Sequence, residues 1–185
     1  MIYDICTDNY SAFQIFEKNK LKPRAYFIPF QDRKSSETVS LCDERYKSNL
    51  VKVLNGKWDF KYYPKFSDMP KRFDTSIVDF DEVNVPSMWQ YTGYEKPYYI
   101  NQNYPFGRKP PKIPTDDPVG LYKTIRNGKW TPLTVDNIYN SVGVYRKKIE
   151  ISDIEKIFII SFLGCSSCLE LYVNGSFHGY SEGSH

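Results

Sequence analysis

Apolar and polar residues alternate most regularly around positions 54–62. In Leu54-Asn55-Gly56-Lys57-Trp58-Asp59-Phe60-Lys61-Tyr62, Trp58, Phe60 and Tyr62 fall on one face, and Lys57, Asp59 and Lys61 on the other. That period of two is what a half-buried strand requires. Residues 78–86 repeat the pattern less strictly, and residues 142–151, 157–162, 169–173 and 178–180 also predict strands. Asn174-Gly175, between the last two, is the dipeptide of a tight hairpin, because a type I′ turn needs positive φ at both central positions. The first fifty residues are less regular. Residues 8–17, with Phe13, Ile15 and Phe16, fit a short helix. Residues 24–30 predict an extended edge strand, since Pro29 cannot donate in a central ladder, and residues 35–48 form a polar surface connection.

Between 87 and 118 the periodicity stops. That stretch holds six prolines together with Trp89, Tyr91, Tyr94, Tyr98, Tyr99, Tyr104 and Phe106. A long aperiodic segment in a compact domain is either disordered or functional, and this density of rings argues against disorder. It is therefore a functional-loop candidate. Val119-Gly-Leu-Tyr-Lys123 and Val142-Gly-Val-Tyr-Arg146 echo one another 23 residues apart, too briefly to define a repeat.

Composition supports the strand pattern. Sixteen Tyr, 12 Phe and 3 Trp make 17% of the 185 residues aromatic, 12 Pro and 10 Gly punctuate them, and Ala12 and Ala25 are the only alanines. This profile suits a β-sandwich or barrel better than a helical bundle. The net charge of +3 is evenly mixed, which leaves no basic arm for nucleic acid and no polybasic membrane patch. The short run Arg146-Lys147-Lys148 reads as a solvated edge. No apolar stretch is long enough for a membrane-spanning helix, and no signal peptide is visible at the N-terminus, so the cytoplasm is expected. Cys165-Ser-Ser-Cys168 has redox or zinc spacing, but it joins two strand-like runs instead of opening a helix. With only His178 and His185 to complete a metal site, these cysteines, with Cys6 and Cys42, are expected to be free and structural, and no metal ligand is assigned.

Several motifs, taken in order, resemble one known family. They are Lys22-Pro-Arg-Ala-Tyr-Phe-Ile-Pro-Phe30, Leu54-Asn-Gly-Lys-Trp-Asp-Phe60, Val85-Pro-Ser-Met-Trp-Gln90 and Tyr99-Ile-Asn-Gln-Asn-Tyr-Pro105. Pro110-Pro-Lys-Ile-Pro-Thr-Asp-Asp-Pro118 and the run from Phe162 to Tyr180 follow. The series resembles the N-terminal region of the glycoside hydrolase family 2 β-galactosidases over most of positions 5–185. The resemblance implies an all-β antiparallel β-sandwich of the jelly-roll, galactose-binding-like type, spanning 51–185 behind a lead-in segment at 1–50. It also implies that the sandwich is incomplete at its C-terminal end and that a barrel carrying two catalytic glutamates lies beyond it. Asn101, in the Tyr-x-Asn-x-x-Tyr-Pro pattern, is the implied substrate contact, and its amide can both donate to and accept from sugar hydroxyls. Trp89, Tyr94 and Tyr99 are the rings that could pack on a sugar face. The echo splits a motif that the family carries once, which suggests an insertion around 119–141, either a lengthened surface loop, since such insertions cost little, or an added substrate-facing feature.

Neighbouring Asp116 and Asp117 point to opposite sides of an extended backbone, and neither histidine has the companions of a nucleophile's base. No catalytic residue is therefore assigned within the chain, and the chain alone is expected to be inactive. The resemblance implies no cofactor in this stretch, Mg2+ or Na+ being an option for parent enzymes of the family. Its implied partners are a β-galactoside, the remaining domains of the same protein and further copies in a homo-oligomer, with no nucleic acid and no membrane. A free-standing carbohydrate-binding module and a non-catalytic assembly domain are the alternatives.

Overall fold

The computed structural model describes residues 1–5, 9, 12, 14–40, 42, 44–95, 121–126, 129–134 and 141–183, with 121–126 and 129–134 described by their backbone alone. In chain order the elements are β1 (Ile2–Asp4), β2 (Glu17–Lys18), α1 (Arg33–Glu37), β3 (Gly56–Tyr63), β4 (Arg72–Asp74) and β5 (Asp81–Val85). They continue with α2 (Trp89–Thr92), β6 (Leu121–Arg126), β7 (Lys129–Thr134), β8 (Val142–Arg146), β9 (Cys168–Val173) and β10 (Ser176–Glu182). All ladders are antiparallel, and the helices amount to one or two short turns. The chain is all-β, an antiparallel sandwich.

Two three-stranded sheets, β5-β3-β8 and β2-β10-β9, form its body, with a small β1-β4 ladder between them. Aromatic contacts join the three. Tyr63 on β3 meets Phe73 on β4 edge-on, with ring centroids 6.4 Å apart. Tyr3 on β1 meets Tyr172 on β9 at 6.1 Å. Such T-shaped pairs place a ring's positive edge on its neighbour's negative face. Phe60 and Phe73 are fully buried, and Met69, Val83 and Tyr180 complete the buried apolar set among the described residues.

The predicted period-two strand is β3, with Phe60 buried and Lys57 exposed. Its central place follows from its pairs, Phe60 facing Asp81 of β5 on one side and Tyr145 of β8 on the other. The β9–β10 hairpin also matches its sequence signal, with φ of 49° at Asn174 and 91° at Gly175. Both central residues thus have the left-handed geometry of the expected turn.

Other expectations change. Within 8–17, the described residues form turns closed by Ala12 N–H to the Asn9 carbonyl and Ile15 N–H to the Ala12 carbonyl, and Glu17 enters β2. Strand pairing with β10 displaces the helix expected there. Residues 24–30 join no ladder, and 35–48 begin inside α1, which Asp32 caps by accepting from the Ser35 N–H at 2.8 Å. β8 ends at Arg146 instead of reaching 151. The run 157–162 forms no strand; Ile157 is 94% exposed. An extended apolar run becomes a strand only where a neighbour satisfies its backbone groups, and none of the described strands pairs along it.

The insertion expected as a loop contains an antiparallel hairpin, β6–β7, in register from Leu121↔Thr134 to Arg126↔Lys129. The intervening pair in the sequence is Asn127-Gly128, a dipeptide that favours hairpins. The basic run is also more than a solvated edge. Arg146 lies opposite Asp59 in the β3–β8 register, bonds its Oδ2 through Nε and Nη2 at 2.7 Å each, and donates to the Thr75 carbonyl at 2.9 Å. Its guanidinium also sits 4.2 Å from the Phe80 ring centre, while Lys147 Nζ reaches the Lys57 carbonyl at 2.9 Å.

Phe60→Ala should lower the unfolding free energy by about 3–5 kcal/mol, as ring removal from a closed core does. Tyr91→Ala, at an 83% exposed position, should change it by less than about 0.5 kcal/mol. Urea midpoints at constant m check both, and equal shifts would contradict the central place of β3.

Glu170 on β9 supplies a pH test. Burial pushes its carboxyl pKa up, against the hydrogen bonds from Tyr172 at 2.8 Å and Asn9 at 3.3 Å and the charge of Lys18. A raised folded-state pKa means that the folded chain holds the proton more firmly than the unfolded one. Its contribution is complete below the unfolded value of about 4.3 and is lost as pH rises through the folded value. Glu170→Gln should therefore gain stability relative to the parent chain between pH 4 and pH 7. A difference in urea midpoint that is the same at both pH values would refute this.

Candidate functional site

One face of the β5-β3-β8 sheet carries an aromatic cluster capped by α2. Phe60 and Tyr62 project to the same side because they lie two apart on β3. Trp89, at the start of α2, packs on Tyr62 at 5.3 Å and on Phe60 at 6.4 Å. Tyr94 packs edge-on against Phe60 at 4.8 Å and on Tyr62 at 5.7 Å, while Tyr145 from β8 lies 4.6 Å from Phe60. Gly93 makes this possible. Its φ of 84° ends α2 in the left-handed region, which glycine enters without a steric penalty, and the Tyr94 N–H then bonds the Trp89 carbonyl at 3.1 Å. Gly143 on β8 leaves room for the indole, since a Cβ there would stand 2.6 Å from Trp89 Cζ2 and 2.8 Å from Phe60 Cε2.

The polar atoms of these rings also have protein partners. Trp89 Nε1 donates to the Tyr145 hydroxyl at 2.7 Å, and the Tyr94 hydroxyl donates to Asp81 at 2.9 Å. Partial burial, and then the neighbouring Asp81 carboxylate, raise the Tyr94 pKa; burial likewise raises that of Tyr145. Both hydroxyls therefore stay protonated near neutrality, that of Tyr94 donating to Asp81 and that of Tyr145 accepting from the Trp89 indole.

At the edge of the cluster stands a residue that sequence reasoning missed. Glu95 accepts from Ser141 Oγ at 2.9 Å and Tyr62 Oη at 3.3 Å through one oxygen, and from Gln90 Nε2 at 2.8 Å through the other. Nothing in the pattern marked it, because its donors come from 5, 33 and 46 residues away. Of the sequence-predicted residues, Trp89 and Tyr94 come together here, whereas Asn101 and Tyr99 lie outside the described residues.

Elsewhere, Cys165 and Cys168 are free thiols whose pKa values burial raises, and Cys42 is free and exposed. His178 is exposed on β10, 3.0 Å from the Ser176 carbonyl. Among the described residues, no group of three or more His, Cys, Asp or Glu could hold a metal ion. None of the described helices is long and apolar enough to cross a membrane. An open groove of about 300 Å3 beside Lys52, Leu54, Lys148 and Glu150 is a rival location, but Lys52 already bonds the Glu150 carbonyl at 2.7 Å.

Comparison with known proteins fits this arrangement. Residues 51–132 match the model described as glycosyl hydrolases family 2, sugar binding domain. A β-galactosidase of Actinobacillus pleuropneumoniae is 32% identical over 167 residues, covering 90% of this chain and 14% of that protein. One from Priestia megaterium is 31% identical over 179 residues, covering 92% and 15%. One from Vibrio vulnificus is 34% identical over 134 residues, covering 71% and 11%. The chain thus spans only a small part of the length of the relatives it matches.

Gly143→Ala should push the indole of Trp89 off Phe60 and cost about 1–3 kcal/mol, as overpacking does. A lowered urea midpoint with a red-shifted tryptophan emission is expected. An unchanged spectrum would show that the indole does not rest on β8.

Proposed function

We propose that this chain, which belongs to the family of sugar-binding domains of the family 2 glycosyl hydrolases, serves as the leading domain of a longer β-galactosidase. In this reading the parent enzyme hydrolyses terminal β-galactosides by a retaining mechanism with two glutamates outside this chain. The domain contributes a substrate-contacting loop that carries Asn101. The observation behind the reading is the similarity to β-galactosidases along 90% of the chain.

Several features of the geometry agree with a supporting role. Many of the described carboxylates already serve as structural acceptors: Asp59 for Arg146, Glu82 for Lys57, Asp81 for Tyr94, Glu95 for three donors, and Glu170 for Asn9 and Tyr172. A retaining site instead needs two carboxyls about 5–5.5 Å apart across the scissile bond. Trp89 and Tyr94 hold the base of the loop, since their polar atoms are taken by Tyr145 and Asp81. Tyr99 is then the ring left to pack on the sugar, beside the two-way amide of Asn101. The same reading makes the parent enzyme a cytoplasmic homo-oligomer, with any Mg2+ or Na+ held outside this chain.

The test is to express the open reading frame that contains this chain in full and to assay a nitrophenyl β-galactoside. Hydrolysis by that protein, its absence from residues 1–185 alone, and a roughly tenfold rise in KM for Asn101→Ala are expected, a factor worth about 1.4 kcal/mol of binding. Galactoside binding by residues 1–185 without hydrolysis by the full protein would favour a carbohydrate-binding module instead. Unchanged kinetics in Asn101→Ala would remove that residue from the site.

A further inference from the structure

The geometry points to Glu95 as the positioning residue that fixes the foot of the 96–140 excursion, a role that rests on the proposed substrate-contacting function of that stretch. Glu95 is the third residue after α2 and Ser141 directly precedes β8, and their side chains are hydrogen-bonded at 2.9 Å. The chain therefore leaves the sheet and returns to it at one carboxylate. Two more donors hold that carboxylate against the body of the fold, Tyr62 from β3 at 3.3 Å and Gln90 from α2 at 2.8 Å. An ionised carboxylate is acceptor-only, with room for about four hydrogen bonds, so a single side chain can gather a strand, a helix and the returning chain.

The sheet does not need this tie for its own closure. Val142, next to Ser141, already pairs with Tyr63 at the end of a five-pair β3–β8 ladder. α2 is separately seated by Trp89 and Tyr94 on Phe60 and Tyr62. Among the described residues, β6 and β7 pair only with each other, so strand pairing gives that hairpin no hold on the two larger sheets. The tie between Glu95 and Ser141 is then what holds the two ends of the stretch together. Loss of the tie would weaken a substrate contact made from this stretch, and a contact shared by ground and transition states is read in KM.

The test uses the full-length protein and combines Glu95→Ala, Glu95→Gln, Ser141→Ala and Asn101→Ala. Trypsin cleavage within 96–140, which contains several lysines and arginines, should quicken several-fold in Glu95→Ala and Ser141→Ala. KM for the galactoside should rise roughly tenfold in Glu95→Ala with kcat within about twofold, the signature of lost binding shared by ground and transition states. Glu95→Gln keeps one acceptor oxygen and should fall between, which also covers a poorly folding alanine variant. Adding Glu95→Ala to Asn101→Ala should raise KM no further, because the foot then has no amide left to place.

Unchanged cleavage in both foot variants would overturn the inference. So would additive KM effects of Glu95→Ala and Asn101→Ala, or a fall in kcat with KM unchanged. Faster cleavage with no effect of Asn101→Ala on KM would leave the clamp standing and count against the substrate-contacting function on which its use depends.

Discussion

The packing of rings around Phe60 is the constraint on which the other features depend. Phe60 is the fully buried residue of β3, and β3 is the middle strand of its sheet. Tyr145 reaches it from β8, and Trp89 and Tyr94 reach it from α2 and the turn that follows. Burying a large apolar side chain contributes about 1.5–3 kcal/mol, whereas a helix of one turn does not form on its own hydrogen bonds, since helix nucleation is unfavourable. α2 therefore exists because its tryptophan has a place to rest. That place exists because Gly143 carries no Cβ. Sheet, helix and the departure point of the excursion form one mechanical unit.

How far the sequence disclosed this depended on whether the signal was local. β3 was legible because alternation is a property of neighbouring residues, and the β9–β10 turn because Asn174 and Gly175 suffice for its backbone geometry. The run at 157–162 misled because its apolar residues predict a strand wherever they stand, while a strand also needs a partner. At β6–β7 the interrupted motif points to a loop while Asn127-Gly128 points to a hairpin, and the ladder from Leu121 to Thr134 follows the second signal. Arg146 looked like part of a solvated basic run, since nothing local announces that Asp59 will lie across the ladder from it. Glu95 was invisible for the same reason, its donors being assembled only by the fold.

The aromatic residues near 90 show how a functional expectation and a structural role can share the same side chains. The expectation for Trp89 and Tyr94 is that rings pack on sugars, and rings also pack on rings. The arrangement favours the second use at these two positions. Each ring contacts Phe60 and Tyr62, and each polar atom points to a protein acceptor. A ring so engaged on its face and at its polar atom has little left to offer a ligand, but it gives the next residues a fixed origin.

From that fixed origin the division of labour follows. Aromatic burial supplies the stability of the cap but little directional information, since dispersion contacts vary gently with angle. Charge-assisted hydrogen bonds are shorter and more demanding in geometry. A carboxylate at the rim of the ring cluster can therefore set direction where the rings set only position. Glu95 occupies that rim, directly after the last ring of the cap and bonded to the residue that begins the return to β8. A rigid apolar base with a directional polar hinge beside it is the combination that fixes where the chain leaves α2 and where it re-enters β8.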